Sequence, residues 1–192
     1  MPEWSNGPHS KCGVLARVPR VRIPASPPKY FQMNLITELK NKGIIKLGNF
    51  TLRSGVQADY YCDIKQALGD HSLLSQIITD LVKIIPKDAT CIAGAGYGGV
   101  TLASLVAYKL KLPLVLVRDA VKNHGTKKLI DGYIPSSKDR VCIIDDVYTT
   151  GSSIKDASEK LVPTKAGLTV PVVVLNRSNY KGVVSLINSE DF

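Results

Sequence analysis

The chain has 192 residues, 44% of them from the hydrophobic set, and its 25 Lys and Arg exceed its 16 Asp and Glu to give a formal net charge of +9. One ordinary globular domain fits this length, whereas a (β/α)8 barrel, at about 250 residues, does not. No apolar run approaches the roughly 18 residues of a membrane-spanning helix, so a soluble protein is expected.

The first segment differs from the rest. Residues 1–32 hold Lys11, Arg17, Arg20, Arg22 and Lys29 against Glu3 alone, together with six of the eleven prolines. Pro-rich, acid-poor sequence without a hydrophobic period buries no core face, so residues 1–32 are expected to be a disordered or loosely attached tail ahead of a domain at 33–192. The segment lacks the apolar stretch of a secretory signal, and its prolines would break the amphipathic helix of an organelle transit peptide. A cytoplasmic location follows as the expectation. Cys12, Cys62, Cys91 and Cys142 lie 50, 29 and 51 residues apart, and His9, His71 and His124 are equally scattered. That spacing suits neither a zinc site nor a disulfide framework.

From Met33 the pattern is regular. Leu35, Ile36 and Leu39 predict a short amphipathic helix stopped by Gly43. Three extended stretches follow, at Ile44–Leu47, Phe50–Arg53 and Tyr60–Asp63, divided by Gly48-Asn49 and Ser54-Gly55. Asp70 is placed to cap a longer helix whose apolar face is Leu73, Leu74, Ile77, Ile78, Leu81 and Ile85, ended by Pro86. Strand and helix then alternate. A strand at Thr90–Ala93 leads to a helix over about Gly99–Leu110, and Leu114–Arg118 is the next strand. Arg140–Ile144 then leads to a helix over about Ser152–Leu161, and Val170–Leu175 closes the series. Near-continuous apolar strands between amphipathic helices imply an α/β fold: a doubly wound parallel sheet with ligands at the strands' carboxyl ends, beneath a small N-terminal hood of helix and strands. Between Arg118 and Arg140 the sequence has little apolar period and five cationic side chains up to Lys128 if His124 is counted, which reads as a long functional loop.

Two segments carry phosphate-binding signals. Gly94-Ala-Gly96-Tyr-Gly-Gly99 satisfies G-x-G-x-x-G after a strand, and Asp119 lies about 20 residues beyond it, as in a dinucleotide-binding unit. A lone match of this kind is weak, and no second nucleotide half or hydride-transfer site accompanies it. The glycines alone could serve a tight turn and close helix–sheet packing. The second segment is Val141-Cys-Ile-Ile-Asp-Asp-Val-Tyr-Thr-Thr-Gly-Ser-Ser153. Here an apolar strand ends on two adjacent acids, and a hydroxyl- and glycine-rich turn enters a helix. Neighbouring strand residues face opposite ways, so Asp145 and Asp146 cannot duplicate each other. The turn offers hydroxyls and N–H groups to a phosphate monoester, and it is not a Walker A loop because no Gly-Lys-Ser/Thr is present.

The Val141–Ser153 run resembles the phosphoribosyl-pyrophosphate (PRPP) motif of type I phosphoribosyltransferases. Further segments resemble the orotate phosphoribosyltransferases among them: Phe50-Thr-Leu-Arg-Ser-Gly55, Tyr60-Tyr-Cys-Asp-Ile-Lys65, Arg118-x-x-x-Lys122-x-His124-Gly125 and Val173-Val-Leu-Asn-Arg177. The resemblance implies transfer of phosphoribosyl from PRPP to orotate, giving orotidine 5′-monophosphate and pyrophosphate in pyrimidine (UMP) synthesis. It implies Asp145 and Asp146 on the ribose hydroxyls, with Thr149, Thr150, Gly151, Ser152 and Ser153 cradling the 5′-phosphate and Val147 and Tyr148 also in the PRPP-binding run. Gly96, Tyr97, Gly98 and Gly99 become a pyrophosphate loop. Arg118, Lys122 and His124 become cations of a mobile loop that reaches the neighbouring subunit's site in a homodimer, with Lys122, His124, Asp145 and Asp146 as the catalytic set. Orotate would meet Thr149, Arg177, Arg53 and Tyr61. Mg²⁺ would be held mainly by PRPP and water, with no direct protein ligand.

Two positions depart from the family pattern. Asp119 and Gly98 stand where members commonly carry lysine, which is expected to weaken PRPP binding or slow transfer unless Lys127 and Lys128 compensate. A phosphoribosyltransferase for another base, a non-catalytic PRPP-binding regulator and a nicotinamide oxidoreductase are the competing readings. Nucleic acid and membrane are not expected partners, because no aromatic–basic stacking motif accompanies the cations. No decarboxylase barrel fits beside such a domain at this length, so the next reaction is expected on another chain.

Overall fold

The computed structural model describes residues 29–51, 57–118 and 129–192, with the backbone alone for 29–33. Residues 1–28 of the expected tail lie outside the described residues, as do Arg53 and the loop positions Asp119, Lys122, His124, Lys127 and Lys128.

Helix α1 (Lys29–Asn41) begins directly after Pro27-Pro28, so four residues assigned to the tail are helical. It buries Leu35, Ile36 and Leu39. Gly43 ends it in a Schellman arrangement: its φ is +67°, its N–H donates to Lys40 O at 2.9 Å, and the Ile44 N–H donates to Leu39 O at 2.9 Å. Strands β1 (Ile45–Thr51) and β2 (Gln57–Cys62) then form a two-stranded antiparallel sheet. Gly48-Asn49 does not divide two stretches as expected. The register instead shifts between Leu47 and Phe50 inside one strand, with Gly48 at φ +141°. A 3₁₀ turn at Ile64–Gly69 leads to α2 (His71–Ile84), whose first turn is capped as expected, the Asp70 Oδ1 accepting from the Leu73 N–H at 3.0 Å.

The main sheet follows: β3 (Cys91–Gly94), α3 (Gly96–Leu110), β4 (Leu114–Val117), β5 (Ile130–Gly132), β6 (Arg140–Tyr148), α4 (Ser152–Leu161), β7 (Gly167–Leu168), β8 (Val172–Asn176) and β9 (Val184–Asn188). Its order is β5-β4-β3-β6-β8-β9, with β7 on the first residues of β6. All neighbours are parallel except β5, which runs antiparallel to β4. Alternation along β6 sends Cys142 and Ile144 into a core with α1, α2 and α3, while Val141 and Ile143 pack with Ile154, Ala157 and Leu161 of α4. Both faces are thus covered, as the apolar strands required. The chain leaves β3 for β4 on one side and returns to β6 on the other. That reversal of direction opens a crevice at the carboxyl ends of β3 and β6.

Four boundaries differ from the sequence expectation. Helix α3 starts at Gly96 rather than Gly99, so the glycine loop is itself the first helical turn. Strand β6 does not end before the acids. It loses β3 after Ile144 but stays paired with β8, Val147 to Leu175 and Tyr148 to Asn176, and this second neighbour carries it to Tyr148. Strand β5 lies inside the stretch read as a loop; it has one buried apolar residue, Ile130, and exists through its ladder to β4. Strand β9 extends the series by one, with Val184, Leu186 and Ile187 in the core beside α1 and α2. Among the described residues no helix is long and apolar enough to cross a membrane.

Candidate active site

Two helices begin side by side at the crevice with their first N–H groups free of side-chain caps. Helix α3 starts behind Ala95 and α4 behind Gly151, and neither cap residue supplies a hydrogen bond from its side chain. An uncapped helix start concentrates N–H donors and the positive end of the helix dipole, which suits an anion. The two starts adjoin, because a Cβ on Gly96 would stand 3.9 Å from the Ser153 Oγ. Gly151 enters α4 at φ +76°, a conformation that favours glycine, with the Tyr148 ring directly beneath it. That ring is held by stacking on Tyr180, centroids 5.3 Å apart. Thr149, Thr150, Ser152 and Ser153 remain exposed around the turn.

Between the two helix starts lie the acids. Asp145 and Asp146 are only 5% and 8% exposed. The Asp146 N–H donates to Asp145 Oδ1 at 2.8 Å. Burial, followed by the neighbouring Asp146 carboxylate, pushes the Asp145 carboxyl up to about 8. Asp146 faces the other side of the sheet, where Lys65 Nζ donates to its Oδ2 at 2.8 Å. Burial pulls the Lys65 ammonium down, but the hydrogen bond and the charges of Asp146 and Asp63 outweigh it and the net shift is upward, so Lys65 is cationic. The glycines of α3 make this approach possible. A Cβ on Gly98 would stand 2.5 Å from Asp146 Cγ, and one on Gly99 would stand 2.4 Å from the Ile144 carbonyl oxygen. Gly98, noted above as a departure from lysine, therefore has no room for a side chain while Asp146 keeps this position.

The other expected residues are distributed as follows. Arg177 follows β8 at the same end of the sheet, its N–H bonded to Tyr148 O at 2.8 Å. Its guanidinium donates to Tyr60 O at 3.2 Å and lies over the Tyr60 ring, 4.8 Å from the centroid. Tyr60 rather than Tyr61 thus meets Arg177. Tyr61 points to the opposite face of β2, 40% exposed, with its ring 5.9 Å from that of Phe50. Arg118, at the end of β4, forms an ion pair with Asp131 of β5. Tyr97 projects into solvent from the first turn of α3. The thiols of Cys62 and Cys142 are pushed up to about 12 by burial, which makes them inert packing groups. Sequence reasoning missed Lys65 and Tyr60 as members of this constellation. Both stand in the Tyr60–Lys65 segment, but their partners Asp146 and Arg177 are 81 and 117 residues away.

Comparison with known proteins shows the family. The family described as phosphoribosyl transferase domain matches residues 65–184. The chain is 37% identical over 152 residues to the orotate phosphoribosyltransferase of Methanosarcina mazei, covering 79% of this chain and 81% of the relative. It is 38% identical over 146 residues to that of Methanocorpusculum labreanum, covering 76% and 83%. The crystal structure of orotate phosphoribosyltransferase from Aeropyrum pernix superposes with a TM-score of 0.66 at 30% identity, covering 81% of this chain and 94% of that one. Glycine loop, acid pair and hydroxyl turn all fall within the matched span, and the chain belongs to the phosphoribosyl transferase domain family, in its orotate phosphoribosyltransferase branch.

Proposed function

We propose that the chain transfers the phosphoribosyl group of PRPP to orotate, forming orotidine 5′-monophosphate and releasing pyrophosphate, as a step of pyrimidine nucleotide synthesis. One observation carries the reading beyond the family resemblance: two adjoining, uncapped helix starts flank a buried acid pair. PRPP has the same sequence of groups, a 5′-phosphate, a ribose diol and a pyrophosphate. In this reading the α4 start and Thr149–Ser153 hold the 5′-phosphate, Asp145 and Asp146 accept from the ribose hydroxyls, and the Gly96–Gly99 turn donates to the pyrophosphate. Orotate nitrogen gives up its proton to solvent and attacks the anomeric carbon as the bond to pyrophosphate oxygen breaks, and that bond's electron pair leaves with pyrophosphate. Arg177 pairs its fork with an orotate oxygen, with Thr149 and Arg53 as the expected further contacts, while Tyr61, turned to the opposite face of β2, leaves its expected place to the Tyr60 ring. Lys122 and His124, with Arg118, supply the cations that offset charge on the leaving pyrophosphate.

Mg²⁺ suits the donors present, which are carboxylates and hydroxyls, hard oxygen ligands. It would neutralise charge on the pyrophosphate when bound, with PRPP and water as its main ligands and Asp145 and Asp146 close by. A homodimer belongs to the same proposal, and the surface of α3 supports it. Tyr97, Leu105 and Tyr108 are 84%, 37% and 86% exposed on one helical stripe. Leu105 and Tyr108 also line a groove of about 400 Å³ against Leu74 and Ile78 of α2. A cytoplasmic location fits the free thiols of Cys62, Cys91 and Cys142.

The test is to incubate the protein with Mg²⁺-PRPP and orotate, then with other nucleobases, following pyrophosphate release and the loss of orotate absorbance. Turnover with orotate is expected. Turnover on another base alone would reassign the substrate, PRPP binding without turnover on any base would favour a regulator, and no PRPP binding would refute the reading. Sedimentation across a dilution series tests the dimer, and monomers with full activity would refute a shared site.

A further inference from the structure

We propose that Lys65 is a positioning residue that holds the Asp146 carboxylate in its ribose-facing place, against a wall formed by the backbone of Gly98. The inference rests on the proposed reaction and adds to it a residue from outside the sheet. Lys65 sits on the 3₁₀ turn that follows β2, and its ammonium bridges 2.8 Å to Asp146 Oδ2 and 3.5 Å to Asp63 Oδ1. Asp63 also accepts from the Lys65 backbone N–H at 3.3 Å, so both ends of the lysine are anchored to it. The two partners of the bridge are unequally exposed. The Asp146 side chain is 11% exposed and that of Lys65 is 47% exposed, so the carboxylate is the member that depends on its partner for compensation.

The opposite wall is equally close. A Cβ at position 98 would lie 2.5, 2.6 and 2.9 Å from Cγ, Oδ2 and Oδ1 of Asp146, so the carboxylate fills the space a side chain there would need. Among the described residues Lys65 is the cation that reaches this acid. Asp145, its immediate neighbour, keeps its proton up to about pH 8 and brings no positive charge, so without Lys65 the Asp146 carboxylate is uncompensated in a narrow slot. Its escape is to rotate away from the position where a ribose hydroxyl donates. Lys65 therefore acts through Asp146, and its loss should appear in PRPP affinity rather than in the transfer step.

The experiment compares wild type, Lys65→Met, Lys65→Arg, Asp146→Asn and the Lys65→Met/Asp146→Asn double variant, reading PRPP equilibrium binding and steady-state kinetics. Lys65→Met keeps the aliphatic stem and is expected to raise the PRPP Kd and KM about 10- to 50-fold, with kcat within about 3-fold and the orotate KM within about 2-fold. Lys65→Arg should recover most of the loss. On the Asp146→Asn background, Lys65→Met should cost less than about 2-fold further, since the group it positions is already altered. Thermal midpoints accompany each variant, and Lys65→Gln carries the same expectations if the Met variant fails to fold. A PRPP KM within 2-fold of wild type, failure of Arg to rescue, or an equal loss on both backgrounds would overturn the inference. These results leave the functional reading intact as long as wild type binds PRPP, whereas a wild type that binds none overturns both.

Discussion

Asp145→Asn should make the free protein more stable at alkaline pH while removing its activity. The carboxyl of Asp145 ordinarily titrates near 3.8 and is pushed up to about 8 in the folded chain, first by burial and then by Asp146. A raised folded-state value means that native protein keeps a proton the unfolded chain has already released. Stability therefore falls as pH rises from about 4 to about 8, and the whole penalty is present above that window. At about 1.4 kcal/mol per unit the full displacement would amount to about 6 kcal/mol. The two adjacent carboxyls interact, so removing one of them recovers only part of this, about 2–3 kcal/mol. Asn preserves the shape and the oxygen that accepts from the Asp146 N–H. Urea unfolding of the ligand-free protein at pH 5 and pH 9 measures the effect. The variant should exceed wild type by about 2–3 kcal/mol at pH 9 and by less than about 1 kcal/mol at pH 5, and orotate turnover should fall by at least about 100-fold. An equal gap at both pH values, or a variant less stable at pH 9, would refute the account of burial and repulsion.

Four further outcomes follow from local geometry. Gly98→Ala pushes on a side-chain carboxylate, whereas Gly99→Ala pushes on the Ile144 backbone oxygen. The first should lower kcat/KM for PRPP about 10- to 100-fold with a thermal midpoint within about 3 °C of wild type, while the second should cost several kcal/mol of stability, read by urea unfolding. Lys111 ends α3 in the left-handed conformation at φ 55°, its N–H on Tyr108 O and the Leu112 N–H on Ala107 O. Lys111→Gly should stabilise by about 0.5–1 kcal/mol, and no rise in thermal midpoint would count against a strained cap. Asp70→Ala removes the acceptor for the first turn of α2 and should cost about 1 kcal/mol in urea unfolding, with Asp70→Asn recovering most of it.

Much of this protein is legible in its order of residues because the signals are local. Asp70 before the apolar stripe of α2, Gly43 after α1, and the apolar runs of β3, β6 and β8 each act within a few positions of themselves. The thirteen residues from Val141 to Ser153 carry strand, acid pair and hydroxyl-rich turn as one continuous piece. What failed locally depended on a neighbour. Strand β5 has one buried apolar side chain and is a strand because β4 lies beside it. The acids lie within β6 because β8 continues alongside after β3 has stopped. The break at Gly48 became a bulge because β2 pairs on both sides of it.

The amino-acid sequence alone determined the doubly wound α/β plan, the position of the two glycine-bearing turns and the family to which the chain is similar, since helix caps, strand patterns and the glycine and acid motifs are short-range. Only the tertiary structure decided which side chains face each other. It set Lys65 on Asp146 and the Tyr60 ring under Arg177, and it put the Asp146 carboxylate in the space a side chain at position 98 would need, pairings that join residues 48 to 117 positions apart. Charge pairing and steric exclusion depend on distance in space. In this fold the crevice between β3 and β6 sets that distance, bringing the hood over the carboxyl ends of the sheet.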